Sequence, residues 1–369
     1  MYIHLKTGWP NFHWDTESIL TLLTEVRYLQ GKLLGKVSNL GFDLRNEAVL
    51  ETLSIEIIKN SEIEGEILND KEVRSSVARK LGLDFESNIH PSRYVEGVVE
   101  MMLDATQNYQ NPLTSNQLFG WHSALFPTGR SGMYSILIGD WRKDTTGPMQ
   151  VVSGGWGRER VHFEAPHSDR INEEMKQFLD WFNDDSVNID AILKAAVAHL
   201  WFITIHPFDD GNGRITRAIT DMQLAKSDGS IQRFYSMSSQ ILLERKAYYL
   251  ILESTQKGSL DITTWINWFL DCLKKSIIAS EITLSRVIQK AIFWKKNQQT
   301  TLNDRQKKII NLMLDDFKGK LFTAKWAKIC KCSTDTALRD INDLVKKGVL
   351  KKADKGGRST AYLLVHEEE

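Results

Sequence analysis

The stretch His206-Pro207-Phe208-Asp209-Asp210-Gly211-Asn212-Gly213-Arg214-Ile215-Thr216-Arg217 constrains this chain most. It lies between helical runs expected at 189–205 and 212–226, the first apolar through Ala195, Ala196, Ala198, Leu200 and Phe202. His206 can exchange a proton near neutral pH. Asp210 is a hard oxygen ligand suited to Mg²⁺. Gly211, Asn212 and Gly213 can form an open turn whose N–H groups converge on an anion. A helix starting there adds partial positive charge. Arg214 and Arg217, three apart, share a helix face and can grip phosphate oxygens. Singly these are a turn, a loop histidine and a solvated arginine face. Together they describe a polyphosphate site beside a proton acceptor.

Size and charge narrow the setting. A chain of 369 residues predicts two or three domains and a core that needs no disulfide or structural metal. The 47 Lys+Arg balance 47 Asp+Glu, so the whole molecule is not an electrostatic nucleic-acid binder. The balance is uneven, however. Residues 301–369 carry a net charge of +5 and residues 1–300 a net of −5, which marks a small basic C-terminal module. Three cysteines, Cys272, Cys330 and Cys332, suit a reducing compartment and form no zinc pattern. The first residues lack the pattern of a signal peptide, and no apolar run is long enough to span a membrane. A soluble, cytoplasmic protein is expected.

Helical spacing marks 17–40, 44–62, 92–110, 114–126, 168–184, 238–257 and 261–294. Asp15 and Asp43 are candidate caps for the first two, and Leu50, Leu53 and Ile57 form one stripe of the second. Gly65 is a natural stop. Residues 149–153 and 160–163 read as strands of a hairpin, the one convincing hairpin in the first 300 residues. Residues 128–132 read as a turn, and 295–301 as a linker.

The 206–217 stretch resembles the signature of the Fic family, His-Pro-Phe-x-Asp/Glu-Gly-Asn-Gly-Arg-x-x-Arg, at every defined position. The resemblance extends over about residues 92–275. It implies protein AMPylation, the transfer of AMP from ATP to a Ser, Thr or Tyr hydroxyl of a protein target. By that resemblance His206 deprotonates the hydroxyl and Asp210 holds Mg²⁺ bridging the α- and β-phosphates. Gly211, Asn212, Gly213 and Arg214 would cradle those phosphates, and Arg217 would hold the γ-phosphate. The hairpin resembles the family's flap, which docks the target by adding a strand, with Val151, Val152, Val161 and His162 as docking residues. Tyr248, Tyr249 and Gln256 match adenine-side positions, although the two tyrosines equally suit a core.

Ile63-Glu64-Gly65 resembles the family's autoinhibitory motif, Ser/Thr-x-x-x-Glu-Gly/Asn, with Asn60 in the Ser/Thr position. Glu64 would then take from Arg217 the ion pair that ATP needs. Removal of AMP through a water held by Glu64 is a second implied role. An exposed acidic helix end beside Glu62 and Glu66 is the plain alternative.

At the C-terminus, helices at 303–315, 323–329 and 337–347, after a turn at 332–336, precede strands at 349–352 and 361–365. This order resembles a winged helix-turn-helix. DNA contacts would come from Thr334, Thr336 and Arg339 on the reading helix, and from Lys355 and Arg358 on the wing. Asp335, Asp340 and Asp343 on that helix count against tight DNA contact, and protein docking or dimerisation is the competing use.

The expected architecture is therefore mainly α: a Fic helical bundle with a β-hairpin flap, plus a C-terminal winged-helix domain. The expected divisions are an N-terminal helical region at 1–91 carrying the inhibitory helix, a catalytic core at 92–294 and the module at 303–369. The expected function is an ATP- and Mg²⁺-dependent protein adenylyltransferase, with a homodimer as one assembly. The alternatives are a DNA-binding transcriptional regulator whose core senses nucleotide, and transfer of a different phosphate-containing group.

Overall fold

A computed structural model describes residues 1–83, 89–145, 147–154, 160–314, 317, 319–353 and 360–365. It is mainly helical and divides into two compact units, Met1–Glu281 and Ile282–Glu369.

In the first unit a short 3-10 turn, Ile3–Leu5, precedes α1 (Thr16–Ser38), α2 (Phe42–Ile63) and α3 (Asp70–Lys80). Then come α4 (Arg93–Gln107) and α5 (Ser115–Leu125). Two hairpins follow, β1 (Arg130–Ser131) with β2 (Tyr134–Ser135), and β3 (Gln150–Ser153) with β4 (Arg160–Glu164). The rest is α6 (Ile171–Asn183), α7 (Ala191–Ile205), α8 (Asn212–Asp228), α9 (Met237–Leu243), α10 (Arg245–Gln256) and α11 (Thr263–Lys296). Helix α11 continues past the division between units.

The centre of this unit is α7. Every residue from Ile192 to Ile205 is buried, so α7 behaves as a core helix rather than an amphipathic surface one. Burying side chains such as Leu200 or Phe202 contributes roughly 1.5–3 kcal/mol each. It packs against α6 and α8, and α8 packs in turn against α4, α5 and α2. Helix α2 buries the expected stripe of Leu50, Leu53 and Ile57. The same helix also buries Glu56, Asn60 and Ser61, and polar side chains so placed need partners.

Several local expectations change. Asp15 caps α1, its carboxylate accepting from Glu17 and Ser18 N–H. Asp43 does not cap α2. Gly41 occupies that place without a side-chain bond, and Asp43 sits in the first turn. Residues 128–132 are not a plain turn, because Arg130 and Ser131 pair with Ser135 and Tyr134 in a second small hairpin. The run 238–257 is two helices, broken where Glu244 leaves helical geometry at φ −106°, ψ 24°. The 150–164 hairpin forms as expected, with an irregularity between Val151 and Val152.

The second unit contains α12 (Asp304–Leu314), α13 (Thr323–Cys330), α14 (Thr334–Lys346) and an antiparallel pair, β5 (Leu350–Lys352) and β6 (Tyr362–Leu364). Its core gathers Ile309, Ile310, Trp326, Ile341, Leu344 and Tyr362. Helix α14 starts at Thr334, three residues before the expected start, because the Ser333 hydroxyl accepts from Thr336 N–H at 3.1 Å and caps it. Gly348, at φ +71°, follows its end.

Candidate active site

Helix α7 ends because His206 turns left-handed, at φ 53° and ψ 57°. A non-glycine residue in that region is strained and points to a site that needs it there. The His206 Nδ1 lies 3.2 Å from the Ile203 carbonyl. Donation there leaves Nε2 with a free lone pair, the form a general base requires. Burial lowers the His206 pKa to about 4, with Arg142 adding to the effect and Glu64 and Asp210 opposing it. The imidazole is therefore neutral at pH 7.

The loop after His206 is held from below. Asn212 uses its amide twice on Phe208, accepting from its N–H at 3.0 Å and donating to its carbonyl at 2.8 Å. The Asn212 side chain thus closes the loop, which leaves main-chain N–H groups to face a ligand. The Phe208 ring is fully buried and stacks on His122 at 4.3 Å. Arg142, also buried, donates to the His206 carbonyl at 2.8 Å through Nε and to the Pro207 carbonyl at 2.9 Å through its backbone N–H. It also bonds Asp144 and the Pro166 carbonyl. No sequence pattern marked Arg142, which lies 64 positions before His206.

Gly211 takes φ +81° at the start of α8, a conformation favourable only for glycine. Gly213 matters for space. A Cβ there would fall 2.1 Å from the Glu64 Oε1 and 3.3 Å from the Arg217 Nη1. The first turn of α8 is thus a bare cradle for an anion, and a carboxylate fills it. Asp210 accepts from Gly211 N–H at 2.5 Å and from the Ser131 hydroxyl. Its side chain is 43% exposed. One half-open carboxylate with an adjacent hydroxyl suits Mg²⁺ shared with phosphate oxygens better than an all-protein cage.

The two arginines lie behind this cradle. Arg214 donates to the Tyr94 hydroxyl at 2.7 Å and stands over the Phe126 ring. Arg217 is buried and donates to the Asn60 Oδ1 at 2.6 Å, the Asn60 carbonyl at 2.9 Å and the Glu64 Oε1 at 2.7 Å. Burial works against its charge, yet Glu64 and the neighbouring tyrosine oxygens hold its pKa above the ordinary value. The Arg214 Nε and Arg217 Nη1 are buried with no hydrogen-bond partner among the described residues, an arrangement costly unless an anion visits.

A cavity of about 600 Å³ opens in front. It brings together most of the expected site residues: Glu64, His206, Asp210, Gly211, Asn212 and Gly213 on one side, Tyr248, Tyr249 and Gln256 on another, and Val151, Val152 and His162 from the flap. Arg214 and Arg217 do not line it, because Glu64 stands between Arg217 and the opening. Val161 is on the flap but outside the lining. Tyr248 is buried, its hydroxyl 2.9 Å from the His199 Nε2, while Tyr249 is 39% exposed. Gln256 donates to Thr204 at 3.3 Å. Glu253, unmarked in the sequence, ties the flap to α10 through His162 at 2.6 Å and Arg160 at 3.1 Å.

Comparison with known proteins matches residues 112–224 to the Fic/DOC family. Residues 112–224 are a Fic/DOC family domain. Residues 2–83 match a second family, described as a domain of unknown function, DUF4172. Among curated relatives, the protein adenylyltransferase fic-1 of Caenorhabditis elegans is 41% identical over 58 residues, 15% of this chain and 11% of that protein. The protein adenylyltransferase Fic of Drosophila willistoni is 31% identical over 104 residues, 28% of this chain and 19% of that one. The chain thus spans only about a tenth to a fifth of these relatives. A Fic family protein from Desulfovibrio desulfuricans G20 shares the fold across 97% of this chain and 98% of its own, with a TM-score of 0.55 at 18% identity. A Fic domain containing signaling protein from Bacteroides thetaiotaomicron covers 72% of this chain and 96% of its own, with a TM-score of 0.52 at 19% identity.

In the second unit, Thr334 and Arg339 are exposed on α14. The Thr336 hydroxyl is spent on the cap, 2.9 Å from that of Ser333. Lys355 and Arg358 lie outside the described residues. One of the three acidic residues on α14 turns inward: Asp340 accepts from Arg305 at 2.7 and 3.1 Å, whereas Asp343, its side chain 42% exposed, is shared between Gln306 at 2.8 Å and Lys347. Among the described residues no helix is long and apolar enough to cross a membrane.

Proposed function

We propose that the first unit transfers AMP from ATP to a hydroxyl of a protein target, and that Glu64 holds this activity in check. One observation carries the reading. The Glu64 carboxylate occupies the anion cradle over Gly213 and takes the Arg217 ion pair at 2.7 Å. It stands where a terminal phosphate would bind. The curated relatives named protein adenylyltransferase support the same chemistry.

The target hydroxyl gives its proton to the Nε2 of His206. Its oxygen bonds the α-phosphorus as the bond to the bridging oxygen breaks, and pyrophosphate leaves. Asp210 would hold Mg²⁺, whose charge offsets that of the phosphates. The N–H groups opening α8, with Arg214 and Arg217, take up the negative charge that grows on the leaving group. Adenine would lie toward Tyr248, Tyr249 and Gln256. Among the described residues strands β3 and β4 pair only with each other, so the flap retains an edge for an extended target segment. Reversal, with water at Glu64 removing AMP from a modified target, uses the same groups.

Incubation with ATP labelled at the α-phosphate tests the proposal. Protein-bound label should rise in Glu64→Gly and vanish in Glu64→Gly/His206→Ala. Equal labelling by both folded variants rejects it.

A second function is proposed for the second unit, read as a winged helix that docks DNA. The inward pairing of Asp340 favours it, because the exposed residues of α14 then include Arg339, Asn342 and Lys346 against Asp335 and a half-exposed Asp343 that Lys347 pairs.

A further inference from the structure

Arg217 is held by a second side chain besides Glu64. Of its three hydrogen bonds to α2, one goes from Nε to the Asn60 side-chain oxygen, one to the Asn60 backbone carbonyl and one to Glu64, so the amide alone holds Nε. Asn60 is itself fully buried. Its amide nitrogen faces the Arg214 carbonyl and the Met102 sulfur, each at 3.4 Å. Those contacts fix which way the amide points, so its oxygen is directed at the Arg217 Nε.

The geometry divides the guanidinium. Nε and one edge of Nη2 face Asn60. The Nη1 has no partner among the described residues and lies beside the Gly213 cradle. Removing Glu64 takes away one bond of the three and leaves both Asn60 bonds in place. From this we infer that Asn60 is a positioning residue for ATP: it keeps the fork of Arg217 turned to the cradle, so that the terminal phosphate meets an arginine already oriented. An arginine side chain has many rotamers to lose on binding an anion, and holding it beforehand removes that cost. A serine or threonine hydroxyl at this position is one atom shorter than the amide.

Two side chains of one helix therefore act in opposite senses on one arginine. Glu64 competes with the phosphate, and Asn60 prepares the arginine for it. The inference rests on the reading of Arg217 as the terminal-phosphate contact, and it predicts a signature independent of transfer. Loss of Asn60 should weaken ATP and spare AMP, which has no phosphate within reach of Arg217.

The test is calorimetric titration of the full chain with ATP, ADP and AMP in the presence of magnesium. Three variants are compared: Glu64→Gly, Glu64→Gly/Asn60→Ala and Glu64→Gly/Asn60→Leu, the last keeping the buried volume. The expected result is a tenfold or greater loss of ATP affinity in both double variants, with AMP affinity within twofold. Parallel loss of ATP and AMP, unchanged ATP affinity, or failure of both double variants to fold would each overturn the inference and leave Asn60 a structural residue. Binding with this signature but without AMP transfer would overturn the proposed reaction and keep the role of Asn60. Absence of ATP binding by Glu64→Gly itself would remove both.

Discussion

The Glu64 carboxylate lies so close over Gly213 that a Cβ added there would sit 2.1 Å from Oε1. The contact needs a glycine, because any side chain would fill the seat that the carboxylate occupies. Gly213→Ala probes both stability and ligand binding. With Glu64 present the clash displaces a carboxylate ion-paired to buried Arg217 at 2.7 Å, so Gly213→Ala should unfold below the temperature of its parent. In the Glu64→Gly background it should bind ATP at least tenfold more weakly, because the new methyl group stands in the phosphate seat. Thermal unfolding and ATP titration check both halves. Unchanged ATP affinity would place the phosphates elsewhere.

The acid limit of the proposed reaction follows from burial of the His206 imidazole. A histidine at the ordinary pKa near 6.5 would retain only about a tenth of its neutral form at pH 5.5. His206 titrates at about 4. Its neutral form, and with it the proton-accepting lone pair, persists as pH falls from 7 to 5.5 and is lost only as pH nears 4. The rate of AMP transfer by Glu64→Gly should hold within about twofold from pH 7 to 5.5. A tenfold fall over that span would contradict a desolvated base.

For the second unit, duplex DNA should bind the full chain with a steep dependence on salt. Arg339→Ala should weaken binding by about tenfold, while His206→Ala should leave it unchanged. Fluorescence anisotropy at two salt concentrations provides the measurement. Binding insensitive to Arg339 would point to another face or another partner.

What the sequence made legible was whatever is contiguous. The 206–217 stretch could be read because a histidine, an aspartate, two glycines and two arginines fall within twelve positions, and the cavity gathers most of them. The stripe of α2 was legible because Leu50, Leu53 and Ile57 repeat at helical spacing. Arg142 was not, since an arginine holding loop carbonyls from 64 residues away leaves no periodic trace. Helix α3 leaves little apolar trace, because Asp70–Lys80 is mostly polar and buries only Val73, Ser76, Val77 and Ala78. Its signals were Asn69, which caps it, and acidic residues in its first turn with basic ones in its last. The break at Glu244 has no glycine or proline to mark it. Asn60 was visible only as a departure from a pattern. Its bonds to Arg217 depend on how α2 and α8 pack, which spacing along the chain does not encode.

The central claim is that Glu64 and the terminal phosphate of ATP share one seat. A crystal structure of Glu64→Gly with magnesium and a non-hydrolysable ATP analogue tests it most directly. The account predicts a γ-phosphate oxygen within hydrogen-bond distance of the Arg217 guanidinium over Gly213, and the α-phosphate on the His206 side of the cavity. A nucleotide bound with its phosphates away from the first turn of α8, or a cavity that stays empty without Glu64, would contradict it.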